Sequence, residues 1–495
     1  MAAQIYYFTF TLLLLCTSYT YSRSILLAQS EWIEINSPHF RVVSNAKLES
    51  AIDTTLQFER IRDAFHKALP EAKIDPGQEI VVFAVKDEAS LKTLLPQYWK
   101  QPESLKPAGV FFPGPEKHYV ALRIDARGTN PYRTLYHEYF HLILNINYPN
   151  IPLWLSEGLA EFYAHTRITD DSVALGLPSQ NHLIQLRTQK LIPLKKLFLI
   201  NQNSVHYKEA QKASIFYSQA WALTHYLMTS SQGTYKNQID EILGSLLQGF
   251  PIEDVAEKVL GPLNKLEKNL ARHIQKNEFT FYPYALPIDK NIRLSETKLS
   301  PEEAYALQAS LLVRNNHPIE AKHLIDKALS IDPEGALAFE SLGYLHYKEG
   351  CFSQAFKAFK HAVRLQLSSY FSHYIYAKLA LIDDQKAFTS WGEIESSLRK
   401  AINLRPNFPN SYETLARNLL DRGQNLEEAL KIAIRAYHLN PKNIKTIEVL
   451  GYCFLSLGKH QQVTDLLESM KELAINKDDL MIYESLSLQV KKKSP

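Results

Sequence analysis

Apolar positions along this chain change period twice. Between Trp32 and Ile124, short alternating or continuous apolar runs are bounded by Pro, Gly and Ser. They predict strands at Trp32 to Ile35, Phe40 to Ser44, Glu79 to Val85, Gly109 to Phe112 and His118 to Ile124. The last two are joined across Pro113 to Lys117, which predicts a hairpin, and Ala46 to Leu69 keeps a helical period up to Pro70. From Pro131 onward the 3.6-residue period dominates. It predicts helices over Pro131 to Asn145, Pro152 to His165, Ser214 to Thr229, Tyr235 to Leu247 and Leu263 to Lys276, with loops and short elements over Ile168 to Gln211. The pattern is that of an α+β lobe over 30–128 and a mainly helical lobe over 129–285. Residues 286–300 show no clear period next to Pro283 and Pro287, and predict a linker.

Beyond the linker the pattern repeats. Ala321 and Ala355 stand 34 apart, as do Ala328 and Ala362, and the series continues at Ala401 and Ala436 with spacings of 39 and 35. Gly343 and Gly451 differ by 108, which is three periods of 34 with the same insertions of five and one. Pro333, Pro406 and Pro441 close three of the units. Small residues at fixed positions let paired helices approach, and Pro ends the second helix, so 301–488 resembles about five tetratricopeptide repeats. Glu340 to Val363 is the best match and the unit around Ile394 the poorest. An all-α solenoid of this kind implies a concave groove for a peptide or protein partner.

The first residues carry a 12-residue apolar run, Ile5 to Cys16, followed by small and polar residues. The run is shorter than the roughly 20 residues that span a bilayer. It reads as a signal peptide over 1–22, leaving a mature chain without a stable membrane span in the periplasm or the extracellular medium. A lipoprotein signal ending at Cys16 is the alternative, although Leu15 stands where such signals want a small residue. Cys351 and Cys453 remain, in different repeats, which predicts two packed thiols and no disulfide between them. Lys plus Arg number 55 against 52 for Asp plus Glu, so no strong field attracts nucleic acid.

One stretch carries the chemistry. In YHEYFH, His137 and His141 are four apart on a helix and share a face that reaches one metal ion, while Glu138 lies beside them where a general base would contact the metal's water. Eleven residues after His141 begins PLWLSEGLAEFYA, with carboxylates at Glu157 and Glu161. The loop between the two segments ends at prolines and turns the second helix back, so that a carboxylate completes the site. Three protein ligands and an open fourth position describe catalytic zinc, and no Cys of the structural kind lies nearby. His118, His165 and His225 stand alone in the sequence and read as packing or surface residues.

The two segments together resemble the gluzincin zinc metallopeptidases, and more closely the peptidase-MA-like proteins, over roughly Trp32 to Tyr282. The resemblance implies a zincin-like domain binding one Zn²⁺ through His137, His141 and Glu157, with Glu138 as general base on zinc-bound water in peptide-bond hydrolysis. It gives Glu161 the part of an acid that orients a ligand histidine. FYSQAWALTHYL resembles the Tyr-x-Lys-Gly-Ala segment of aminopeptidase-type gluzincins and would give Tyr217 an oxyanion-stabilising role, although Gln219 stands where those enzymes have Lys. Two other readings stay open. One is a scaffold whose repeats recruit partners without chemistry. The other is a periplasmic quality-control metalloprotease with tetratricopeptide repeats, from whose Ala-Asp pair this chain departs at Glu161 and Phe162.

Overall fold

The computed structural model describes residues 31–100, 106–125, 132–148, 151–169, 171–201, 203–204, 210–230, 234–286, 292–382, 390–423, 425–474 and 477–493. The signal-peptide reading of 1–22, with Cys16, lies outside them. Contacts divide the chain into two compact units, Met1–Pro301 and Glu302–Pro495.

The first unit is built on a six-stranded sheet: β1 (Ile33–Asn36), β2 (Arg41–Ser44), β3 (Glu79–Val85), β4 (Gly109–Phe112), β5 (Lys117–Arg123) and a late strand, β9 (Ser295–Lys298). Their order is β4-β5-β3-β2-β1-β9. β2, β3 and β5 run parallel, and the unbroken apolar run of β3 is what a strand covered on both faces requires. β4 pairs antiparallel with β5 and forms one edge of the sheet.

Ten α-helices belong to this unit among the described residues, besides a 3-10 turn at Pro96–Trp99: α1 (Leu48–Ala68), α2 (Glu88–Leu94), α3 (Arg133–Asn147), α4 (Leu153–Ala164), α5 (Gln180–Thr188), α6 (Leu194–Phe198), α7 (Ala210–Thr229), α8 (Thr234–Leu247), α9 (Ile252–Leu260) and α10 (Leu263–Ile274). α3 lies against β4 and β5, and its inner face joins α1 and α4 through aromatic rings. Phe65 stacks on Tyr139 at 6.0 Å and Phe140 on Tyr163 at 4.1 Å. Burying one face of α3 in this cluster leaves the other face, with His137, Glu138 and His141, largely covered but still reached by solvent. α4 in turn packs against α7.

Two sequence expectations need correction. The lobe over 129–285 also holds a three-stranded antiparallel sheet of β6 (Arg167–Ile168), β7 (Ser172–Leu175) and β8 (Tyr282–Ala285), while α5 and α6 are short elements of the kind expected over Ile168 to Gln211. Strands of two to four residues are too short to show a period. The segment 286–300 is also more than a linker, because Ser295–Lys298 forms β9 and pairs antiparallel with β1. All four β9 side chains are exposed, so no apolar signal marked it.

The second unit consists of helical pairs. They are α11 (Pro301–Arg314) with α12 (Pro318–Ile331), α13 (Ala336–Lys348) with α14 (Phe352–Arg364), α15 (Tyr370–Ala380) with α16 (Trp391–Leu404), α17 (Pro409–Asp421) with α18 (Leu426–Leu439), and α19 (Ile444–Ser456) with α20 (His460–Leu473), followed by α21 (Lys477–Lys493). This helical-repeat unit resembles a tetratricopeptide solenoid. The periodic alanines 321, 328, 355, 362, 401 and 436 are all buried. Gly343 and Gly451, in register, are places of close approach: a Cβ at Gly343 would sit 2.9 Å from the Phe359 ring, and one at Gly451 2.6 Å from Leu486. Cys351 is half-buried, Cys453 is buried, and both are free thiols. No helix among the described residues is long and apolar enough to cross a membrane.

Candidate metal centre

α3 and α4 bring four predicted residues together. His137 Nε2 and His141 Nε2 stand 3.0 Å apart, and Glu157 Oε2 lies 3.5 Å from the first and 3.3 Å from the second. An ion about 2.0–2.1 Å from each donor in tetrahedral directions sets its ligands about 3.3 Å apart, so the triangle has the dimensions that zinc requires. The donor chemistry agrees. Glu157 Oε2 is buried and has no hydrogen-bond partner, although it points at two imidazole nitrogens. His137 turns Nδ1 toward Glu161 Oε1 at 3.5 Å, and His141 turns Nδ1 toward Ser156 Oγ at 3.3 Å. Both rings therefore keep Nε2 for the shared point.

Charge is concentrated here in little water. Burial opposes charge on His137, yet Glu157, Glu161 and Glu138 together push its pKa up to about 9. Burial works against ionised Glu157 as well, but His141 and His137 hold it down to about 2. Glu138 goes the other way. Burial and then Glu157 raise its pKa, against the pull of both histidines and a backbone N–H from Phe111 on β4. A carboxyl raised toward neutrality is poised to accept and return a proton. The hydrogen bond from Phe111 also ties Glu138 to the edge strand.

Glu161 carries more partners than the sequence suggested. Besides facing His137, its Oε2 accepts from Arg133 Nη1 at 2.7 Å and meets His182 Nε2 at 3.1 Å. Its pKa is held well below the ordinary carboxylate range: burial opposes this, and His182, Arg133 and His137 outweigh it. Arg133 was not singled out from the sequence, although its place one helical turn before His137 on the same face was the signal that could have found it. His182 gave no such signal, because it arrives on the short α5. It also brings His165 into a group with Glu161, with donor atoms all within 4.8 Å. His165 is thus not a lone packing residue. Its Nδ1 is bonded to the Glu161 carbonyl at 2.7 Å, and Arg133 already neutralises the carboxylate, so this group serves as a support for Glu161 rather than a second cation site.

Tyr217 is half-buried on α7 and packs against the core beside Phe216, with ring centroids 5.6 Å apart. Gln219, at the position where the resemblance expects Lys, is buried and brackets Ile192: its Oε1 accepts from the Ile192 N–H at 2.7 Å and its Nε2 donates to the Ile192 carbonyl at 2.6 Å.

The other histidines do structural work. His118 is buried with its ring 5.7 Å from Phe111. His225 and His273 are buried 3.1 Å apart, and His225 Nε2 meets the Gly176 carbonyl at 3.1 Å. Burial drives both pKa values below the ordinary 6.5, so the pair stays neutral while an unfolded chain takes up protons. The stability they contribute is present above pH 6.5 and is lost as pH falls below it. The thermal stability of the wild type should therefore fall from pH 6.5 downward. His273→Gln should flatten that dependence by up to ~1.4 kcal/mol per pH unit. Parallel curves for the two proteins would show that the pair does not titrate on unfolding.

Comparison with known proteins gives the following. A family described as "Protein of unknown function (DUF1570)" matches residues 133–244, the stretch from α3 into α8 that holds the whole cluster. The BBSome complex member BBS4 homolog of Drosophila melanogaster is 26% identical over 177 residues, which are 34% of this chain and 36% of that relative. The chain thus spans about a third of that relative's length. Among solved structures, YrrB, titled a TPR protein with an unusual peptide-binding site, is similar at 20% identity and a TM-score of 0.33, covering 38% of this chain and 91% of that one. MamA is similar at 16% identity and a TM-score of 0.30, covering 39% and 97%.

Proposed function

We propose that the chain is a zinc-dependent hydrolase of peptide bonds, of the gluzincin, peptidase-MA-like kind, joined to repeats that bind protein partners. The observation that carries the hydrolytic half is the triangle of His137, His141 and Glu157 at 3.0, 3.3 and 3.5 Å, with the Glu138 carboxyl close enough to feel both histidines and Glu157. Those three residues would hold the ion. Zinc, when bound, supplies a Lewis acid that polarises a carbonyl and acidifies water. Glu138 accepts a proton from the attacking water and passes it to the leaving amine. Arg133 and His182 fix Glu161, and Glu161 fixes the ring of His137. An extended substrate lies along the edge strand β4, where backbone pairing holds a peptide without demanding a sequence. Tyr217 remains a further donor to test, since the described residues lining the cleft next to His141 do not include it. The apolar run from Ile5 to Cys16 supports export of the chain in this reading.

A second reading, an interaction scaffold without turnover, is favoured by the helical-repeat unit and by the similarity to a protein named as a member of a complex. The comparisons support this partner-binding role more than they support hydrolysis, which rests on the cluster itself. Metal content separates the two. Elemental analysis of the purified wild type should give about one zinc per chain, and of His137→Ala none; a wild type without metal ends the hydrolase reading.

A further inference from the structure

His141 faces two ways. Its Nε2 belongs to the ligand triangle, and its ring also lines a cleft of about 900 Å³ that runs away from the cluster. Phe111 and Pro113 bound the cleft on the side of β4. Leu144, Tyr148, Ile151, Phe198, Ile200 and Leu246 make much of the remaining wall. No Asp, Glu, Lys or Arg lines it among the described residues. Leu199 and Phe250 also line it, and they are large apolar side chains left 50% and 55% exposed.

We infer that this cleft receives bulky apolar side chains of the peptide, so that substrates carry a large aliphatic or aromatic residue within a few positions of the cleaved bond. The inference rests on the hydrolase reading and names its substrate class. Three observations carry it. The polar side chains of the wall, His141, Asn145, Tyr148, Ser156 and Asn201, include no Asp, Glu, Lys or Arg among the described residues, so a charged side chain finds no carboxylate, ammonium or guanidinium to pair with, whereas an apolar one gains by leaving water against the aliphatic and aromatic lining. Leu199 and Phe250 stand in solvent at the lining of the same cleft, and a peptide that covers them removes that exposure. The cleft is also continuous with both the edge strand and His141. An extended segment paired to β4 sends every second side chain to one face, and a volume near the upper end of the ~300–1,000 Å³ of ligand pockets holds more than one of them.

The test uses the full chain and quenched fluorescent peptides that are identical except for Phe and Leu, or Asp and Lys, flanking the central bond. The wild type should cleave the apolar peptides with kcat/KM at least tenfold above the charged ones. Leu199→Asp and Phe250→Asp, both at exposed positions, should raise KM for the apolar peptides at least tenfold with metal content intact. Fluorescence anisotropy with Glu138→Gln reads binding without turnover, and the apolar peptides should bind it at least tenfold more tightly. Cleavage without preference, or a KM unmoved by both substitutions, overturns the cleft assignment and leaves the hydrolase reading standing. Selective binding of apolar peptides that no form of the protein cleaves does the reverse. Neither cleavage nor binding removes both.

Discussion

Glu138→Gln should keep its zinc and lose hydrolysis. The substitution preserves size and leaves a side-chain oxygen to accept the N–H of Phe111, so the tie between α3 and the edge strand survives. What disappears is the capacity to take a proton. Burial raises every carboxyl in this cluster, but only for Glu138 does that prevail, while Glu157 beside it is held down to about 2 by its two histidines. Two carboxyls within one site are thus pushed in opposite directions, which in the proposed mechanism makes one an ionised ligand and the other the group that exchanges a proton. General acid–base catalysis contributes roughly 10²–10⁴ in rate, and a fall of that size in kcat is expected on any peptide that the wild type cleaves. His141→Ala should lose activity by another route, by losing the metal. Elemental analysis beside kcat separates the two, and a Glu138→Gln protein as active as the wild type would remove Glu138 from the mechanism.

How much of this was readable beforehand follows from the range of each interaction. The cluster was legible because its spacing is local: His137 and His141 are one helical turn apart, and α4 must fold back after a proline-bounded loop. The β4–β5 hairpin was legible for the same reason. The repeats were legible because close helix pairs demand small residues at a fixed period, and those alanines are buried as expected. β9 was invisible, since four exposed polar residues pair with β1 far earlier in the chain and carry no apolar pattern. His182 was invisible too, because its approach to Glu161 depends on how a short helix lies against α7, through Ser218 Oγ at 2.9 Å from His182 Nδ1. Sequence spacing brought His137, His141 and Glu157 together, but not the residues around them, Arg133 and His182, that hold Glu161. Those residues matter chemically, since outer partners fix the ring orientation and basicity of a ligand histidine.

The packing of α4 on α7 leads to the second large effect. Gly158 follows Glu157, the proposed third ligand, and lies where the two helices touch: a Cβ there would stand 2.2 Å from Thr224 Oγ1 and 2.6 Å from the Ala220 carbonyl oxygen. The threonine can rotate, but the carbonyl belongs to the backbone of α7 and cannot move alone. Gly158→Ala therefore has to push α4 away from α7. Overpacking of this kind costs about 1–3 kcal/mol, and more where backbone is the obstacle. The displacement reaches Glu157 first, and ligand distances tolerate only about 0.2 Å. The variant should melt several degrees lower and bind zinc more weakly, read by calorimetry and by competition with a chelator. Gly244→Ala is the matched control, since a Cβ there meets nothing within 4 Å on α8. It gains helix propensity and should stabilise by up to about 1 kcal/mol. If Gly158→Ala behaves like Gly244→Ala in both measurements, the close approach of α4 and α7 is not what sets the third ligand in place.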